Sequence, residues 1–220
     1  AAVTLDDNAT LDLGGGATLA VTGLLSVTGN SQIICRATNT TAQVGGVWAG
    51  VGVTILAGDV TVAAGSSINA DSQGYLGGQT SNASGLGPGA GIGNANGGSG
   101  GGYGGVGSRA QSVGGGAAYG LADVLSPTAP GSGGGSYNDR IGGSGGGAIR
   151  LDVAGTLTLD GRISANGGSA GQHSGGGSGG SLWVTTSVLA GSGVFQALGG
   201  NTTDWAGGPG GGGRIAVYSS

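Results

Sequence analysis

Few side chains in this 220-residue sequence could do chemistry. There is one histidine, His173, and one cysteine, Cys35; all ten acidic residues are aspartate and all six basic residues are arginine. Acid–base cleavage of a polysaccharide needs paired carboxylates, or a carboxylate-bound metal beside a basic residue. The nearest approach is Asp152 and Asp160, which could share one face with Arg150 and Arg162 alongside. Arg and Asp alternating along a strand read more simply as a solvated ladder of cross-strand pairs. His173 lies in a Gly-Ser-rich stretch with no partner at a diagnostic spacing, which fits a solvated loop residue better than a general base. The expectation is a protein that is not an enzyme, with no catalytic residues.

Binding chemistry is narrowed in the same way. A phosphate-cradling G-x-x-x-x-G-K-[ST] loop is impossible without lysine, and the G-x-G-x-x-G matches have no following helix to aim at a phosphate. Calcium-binding β-roll repeats need Asp in G-G-x-G-x-D, whereas Gly142-Gly-Ser-Gly-Gly-Gly147 carries serine and glycine. The aspartates mostly flank strand-like runs, where turn formation is their usual role. No metal and no cofactor are expected. Cys35 follows Ile33 and Ile34, so it reads as a buried, inert thiol in a strand.

The aromatic residues offer the remaining chemistry. Trp48, Tyr103, Tyr137, Trp183 and Trp205 lie in or beside glycine-rich stretches. Exposed rings flanked by glycine can stack on sugars or on another subunit, and rings gathered among loops can equally form a local core. Both readings stand at this point. Trp183 is out of phase with Leu182 and Val184 and should point outward.

The elements that must position these residues follow from composition and period. Glycine supplies 60 residues and proline 4, which excludes collagen. Lysine, glutamate and methionine are absent, so most of the strong helix formers are missing. A net charge of −4, a pI near 4.4 and the lack of an arginine cluster argue against a nucleic-acid partner. No apolar run approaches a membrane span, so no membrane insertion is expected.

The C-terminal part repeats. Ile149-Arg-Leu151-Asp-Val153, Leu157-Thr-Leu159 and Ile163-Ser-Ala165 recur as Leu182-Trp-Val184, Val188-Leu189 and Phe195-Gln-Ala197, then as Ile215-Ala-Val217. Ile149, Leu182 and Ile215 are spaced by 33 residues, and Ile163 and Phe195 by 32. An earlier copy has Val53-Thr-Ile55, Val60-Thr-Val62 and Ile68-Asn-Ala70, followed by a long glycine-rich excursion. Apolar residues alternate at period two within each run, which predicts three short strands per unit. A unit of this size cannot bury its own apolar face and must stack on the next.

The expected fold is all-β: one right-handed parallel β-helix over 1–220. Short-loop coils fill 1–73, a glycine-rich excursion 74–147, and repeats of about 33 residues 148–220. The glycine tracts are expected to pack as polyglycine-II-like strands, since segments without side chains can lie close together with three residues per turn.

The pattern resembles the glycine-rich β-solenoid segments of large secreted and surface-attached bacterial proteins, including adhesin passenger domains, over Val3 to Tyr218. That resemblance implies an extracellular location and a structural role. The runs at either end, Val3 and Leu5, and Ile215, Val217 and Tyr218, are expected to meet between copies of the chain and build filaments. The alternative is an adhesin holding glycans or a surface through its aromatic and glycine-rich loops. Ice binding would need an outward threonine ladder, for which Thr54, Thr61, Thr158 and Thr185 are the candidates.

Overall fold

Alternating Val, Ile, Leu and Thr dictate strands, and the computed structural model, which describes all 220 residues, contains eleven of them. They are β1 (Val3–Leu5), β2 (Thr10–Leu13), β3 (Thr18–Val27), β4 (Gln32–Cys35), β5 (Val53–Val62), β6 (Ser67–Asn69), β7 (Ala148–Leu159), β8 (Arg162–Ser164), β9 (Ser181–Ala190), β10 (Val194–Gln196) and β11 (Arg214–Ser219). There is no α-helix, and no helix long and apolar enough to cross a membrane; one 3₁₀ turn covers Leu121–Asp123. Odd-numbered strands form a six-stranded sheet, the upper sheet, in the order β1-β3-β5-β7-β9-β11. Even-numbered strands form a five-stranded sheet, the lower sheet, in the order β2-β4-β6-β8-β10. Every pairing is parallel, and the chain alternates between the two sheets, an arrangement compatible with a β-solenoid.

The sequence period is the pairing register. Ile149 pairs with Leu182 and Leu182 with Ile215, while Ile163 pairs with Phe195. Val53 pairs with Ile149 across the long excursion, so the excursion is an insertion into one layer that leaves the ladder intact. Like residues therefore stack into inward ladders: Leu19, Ile55, Leu151, Val184 and Val217 from the first sheet, and Leu11, Ile33, Ile68, Ile163 and Phe195 from the second. These ladders run through one continuous core of 22 buried residues, with Leu11, Leu19, Phe195 and Val217 partly buried against it at the ends. Cys35 belongs to it, and burial together with the nearby Asp12 charge pushes its thiol up to about 12.

The expectation of three strands per layer is corrected to two. Val53-Thr-Ile55 and Val60-Thr-Val62 are one bent strand, β5, whose register shifts between Ala57 and Val60. β3 and β7 bend at the matching place, at Gly23 and Gly155. The corner is closed by Asp59, whose carboxylate accepts from the Thr156 N–H at 2.8 Å. The bend keeps the strand hydrogen-bonded while turning its apolar face around the core.

The glycine tracts are ordered by backbone hydrogen bonds. After β6, β8 and β10, before the next upper-sheet strand, the chain runs out and back as extended glycine segments. In segment 175–180, successive N–H groups point to three different neighbours and the direction repeats every third residue. Gly175 and Ser178 donate to Gly135 and Ser132, Gly176 and Gly179 to Gly208 and Gly211, and Gly177 and Gly180 to Gly168 and Ala165, all at 2.7–3.0 Å. Its carbonyls accept in the same rhythm: Gly143 and Gly146 donate to Gly175 and Ser178, Gly101 to Gly176 and Gly200 to Gly177. Six segments surround one. Every residue from Ser174 to Gly180 is buried. A Cβ at Gly175, Gly176, Gly177 or Gly180 would fall well inside contact with the carbonyl oxygens of Ser99, Gly200, Ser144 and Gly147.

The serines of these tracts occupy the few gaps. Ser132 Oγ accepts from the Gly89 N–H at 3.0 Å, Ser99 Oγ from Ile92 at 2.8 Å and Ser136 Oγ from Ala83 at 2.7 Å. The Ser132 and Ser99 hydroxyls satisfy N–H groups that have no backbone acceptor, and the Ser136 hydroxyl shares the Ala83 N–H with the Thr80 carbonyl.

Candidate recognition surface at the turns of the glycine bundle

Reversing a glycine segment takes a tight turn, and such turns favour residues that tolerate positive φ. Asn82 (φ 55°), Asn138 (φ 46°) and His173 (φ 62°) supply it at three neighbouring turns. Tyr137 and Arg140 exchange backbone hydrogen bonds of 3.1 and 2.9 Å around Asn138-Asp139. The turns are tied to one another sideways. The Asn138 N–H donates to Asn82 Oδ1 (2.9 Å), the Tyr137 N–H to Ser174 Oγ (3.2 Å), and that hydroxyl donates to the Arg140 carbonyl (2.8 Å).

His173 joins the next turn. Its N–H donates to Asp204 Oδ1 at 3.2 Å, and its Nδ1 lies 3.4 Å from the same oxygen. Burial works against ionisation of Asp204, but the N–H groups of Ala206, His173 and Gly207, with the His173 ring, outweigh it and hold the carboxyl below the usual carboxylate range. The Tyr137 and His173 rings meet edge to face, centroids 4.8 Å apart. Tyr137, Asn138, Asp139, Arg140, Gln172 and His173 line an open pocket of about 520 Å³. Trp205 stands beside Asp204 on the adjoining turn, 79% exposed.

The other aromatic candidates are placed elsewhere. Tyr103 is corrected: it is fully buried, so it cannot meet a ligand. Its hydroxyl lies 2.7 Å from Ser181 Oγ, its ring packs on Tyr119 at 4.8 Å, and the Arg214 guanidinium sits 5.3 Å from its centroid. Loss of solvent raises the pKa of both tyrosines. This cluster anchors the excursion to β9 and β11. Trp48 is half-buried with its ring edge to face with Tyr75, 5.3 Å away. Trp183 points outward from β9, but Arg150 of the paired strand lies 4.3 Å over its face.

Two further expectations are settled by register. Asp152 and Asp160 are not brought together: Asp152 bonds Arg150 and Thr185 on the outer face of the upper sheet, and Asp160 bonds Ser192 in a turn. Thr61 and Thr158 are ladder neighbours, but Thr54 pairs with Arg150 and Thr185 with Asp152, so the four threonines form no ladder. Val3 and Leu5 lie on one outer strand of the upper sheet and Ile215, Val217 and Tyr218 on the other. Leu5 is buried in the core, Ile215 is 44% exposed, and the Tyr218 hydroxyl donates to the Leu125 carbonyl at 2.7 Å.

Sequence reasoning missed Asp204 and the association of Tyr137 with His173. The signal was present: 31 residues separate His173 from Asp204, close to the period that sets the register of the strands. Comparisons with protein-family models, with curated proteins and with solved structures find no match to this chain.

Proposed function

We propose that this chain is a structural module of a cell surface or extracellular matrix, a right-handed β-solenoid carrying a bundle of polyglycine-II-like strands. The observation that carries the reading is segment 175–180, hydrogen-bonded to six neighbours with a three-residue repeat. Three residues per turn without internal hydrogen bonds is the geometry of polyproline II. A bundle cross-linked through backbone in every lateral direction is stiff and offers a protease no extended segment. The extracellular location follows the resemblance to secreted glycine-rich solenoids. Limited digestion with proteinase K tests the reading: the buried segments 98–103, 131–136 and 174–180 stay uncut for hours under native conditions, and cleavage within them in minutes would overturn it.

Copies of the chain associate edge to edge within this proposal, through the unpaired outer edges of β1 and β11. Negative-stain micrographs with light scattering on the same sample show filaments of regular axial repeat if so, and discrete monomers at high concentration if not.

A second reading, adhesion to glycans, is favoured by the aligned turns at one end of the bundle, where Tyr137 and Trp205 lie among exposed polar side chains. The rigid bundle then acts as a pedestal for those turns.

A further inference from the structure

Building on the adhesion reading, we propose that the Tyr137–Arg140 and Gln172–His173 turns form a binding pocket for a neutral oligosaccharide. A volume of about 520 Å³ lies within the usual range of small-ligand sites and accommodates roughly two or three sugar rings. One wall is aromatic: the half-buried Tyr137 ring, braced by the His173 ring at 4.8 Å, offers a surface for the C–H face of a pyranose. The other walls are planar polar groups. Asn138, Asp139, Arg140 and Gln172 are all exposed, and each can take two adjacent hydroxyls at once through paired donors or acceptors.

The site is pre-organised and holds no excess of positive charge. Backbone bonds of 2.9 and 3.1 Å close the Tyr137–Arg140 turn, and Asn82 and Ser174 fix it from either side. The bound geometry is therefore present before a ligand arrives, which lowers the entropic cost of binding. Asp139 and Arg140 make no ion pair, so both are free for hydroxyl groups. Asp139 offsets Arg140 and the ionised Asp204 behind His173 adds a second negative charge, so nothing here attracts an anionic sugar and the site selects an uncharged, hydroxyl-rich ligand.

The test uses the intact chain on a printed array of neutral, sialylated and uronate-containing oligosaccharides. Tyr137→Ala, Gln172→Ala and Trp205→Ala variants are assayed beside it, each checked for an unchanged urea midpoint. The proposal predicts binding to neutral di- or trisaccharides, weakened at least tenfold by Tyr137→Ala and by Gln172→Ala. Gln172 is exposed in a turn, so its truncation leaves folding intact should Tyr137→Ala loosen the turns. Binding lost in Trp205→Ala but kept in both pocket variants would overturn the pocket and retain the adhesion reading. Binding confined to the acidic glycans would overturn the ligand class. No binding to any spot would overturn the pocket and the adhesion reading together.

Discussion

Alanine at Gly177 is the sharpest test of packing that depends on absent side chains. Gly177 donates to Gly168 at 3.0 Å and accepts from Gly200 at 2.8 Å, and a Cβ there would collide with the Ser144 carbonyl. Forcing atoms into a close-packed site costs about 1–3 kcal/mol, and each backbone hydrogen bond lost in relieving the clash adds about 1 kcal/mol. The sum is about 3–5 kcal/mol. At about 2–4 °C per kcal/mol for a domain of this size, the melting temperature falls by roughly 10 °C. Gly171 is the control, because a Cβ there meets nothing within 4 Å and its φ is not positive. Gly171→Ala should leave stability within about 0.5 kcal/mol or raise it slightly, by restricting the unfolded chain. Urea titration of both variants reads the difference in midpoint at equal slope. Two variants lying within about 1 kcal/mol of each other would refute the six-neighbour packing.

Leu157→Ala, fully buried in the ladder between Val60 and Leu189, should cost about 2–5 kcal/mol by the same titration. Cys35 should stay unlabelled by a thiol-specific disulfide reagent at about pH 8 until urea unfolds the protein, since burial raises its thiol to about 12; labelling of the folded protein within minutes would contradict that. Asp204 has a folded pKa below its unfolded value, so its ionised form stabilises the fold above about pH 4 and that contribution disappears as pH falls through the folded value. The gap in melting temperature between the wild type and Asp204→Asn should thus be widest at neutral pH and close below about pH 4. Parallel pH profiles for the two proteins would show that the Asp204 cap contributes nothing through its charge.

The ladder was legible because its signal is local and repeated: Ile149, Leu182 and Ile215 announce the register that their pairing then displays. The bend within β5 was not legible, because Gly58-Asp59 reads as a turn between strands unless the neighbouring Gly23 and Gly155 are known to stack on it. Tyr103 failed for a related reason. A ring among glycines can be exposed or form a local core, and its burial depends on Ser181, Tyr119 and Arg214, which only the folded excursion brings to it. The turns at the end of the bundle were half visible: Tyr137 and Trp205 stood out by type, while His173 gained a partner only when one period of the repeat placed Asp204 beside it.

Amide hydrogen exchange, read residue by residue by NMR, tests the central claim most directly. Gly175 through Gly180 should exchange as slowly as the β7 core residues Leu151 and Val153, because every one of their N–H groups is buried and bonded to a neighbouring carbonyl. Exchange at the rate of an unstructured glycine chain, with β7 still protected, would contradict the ordered bundle and leave the solenoid standing without it.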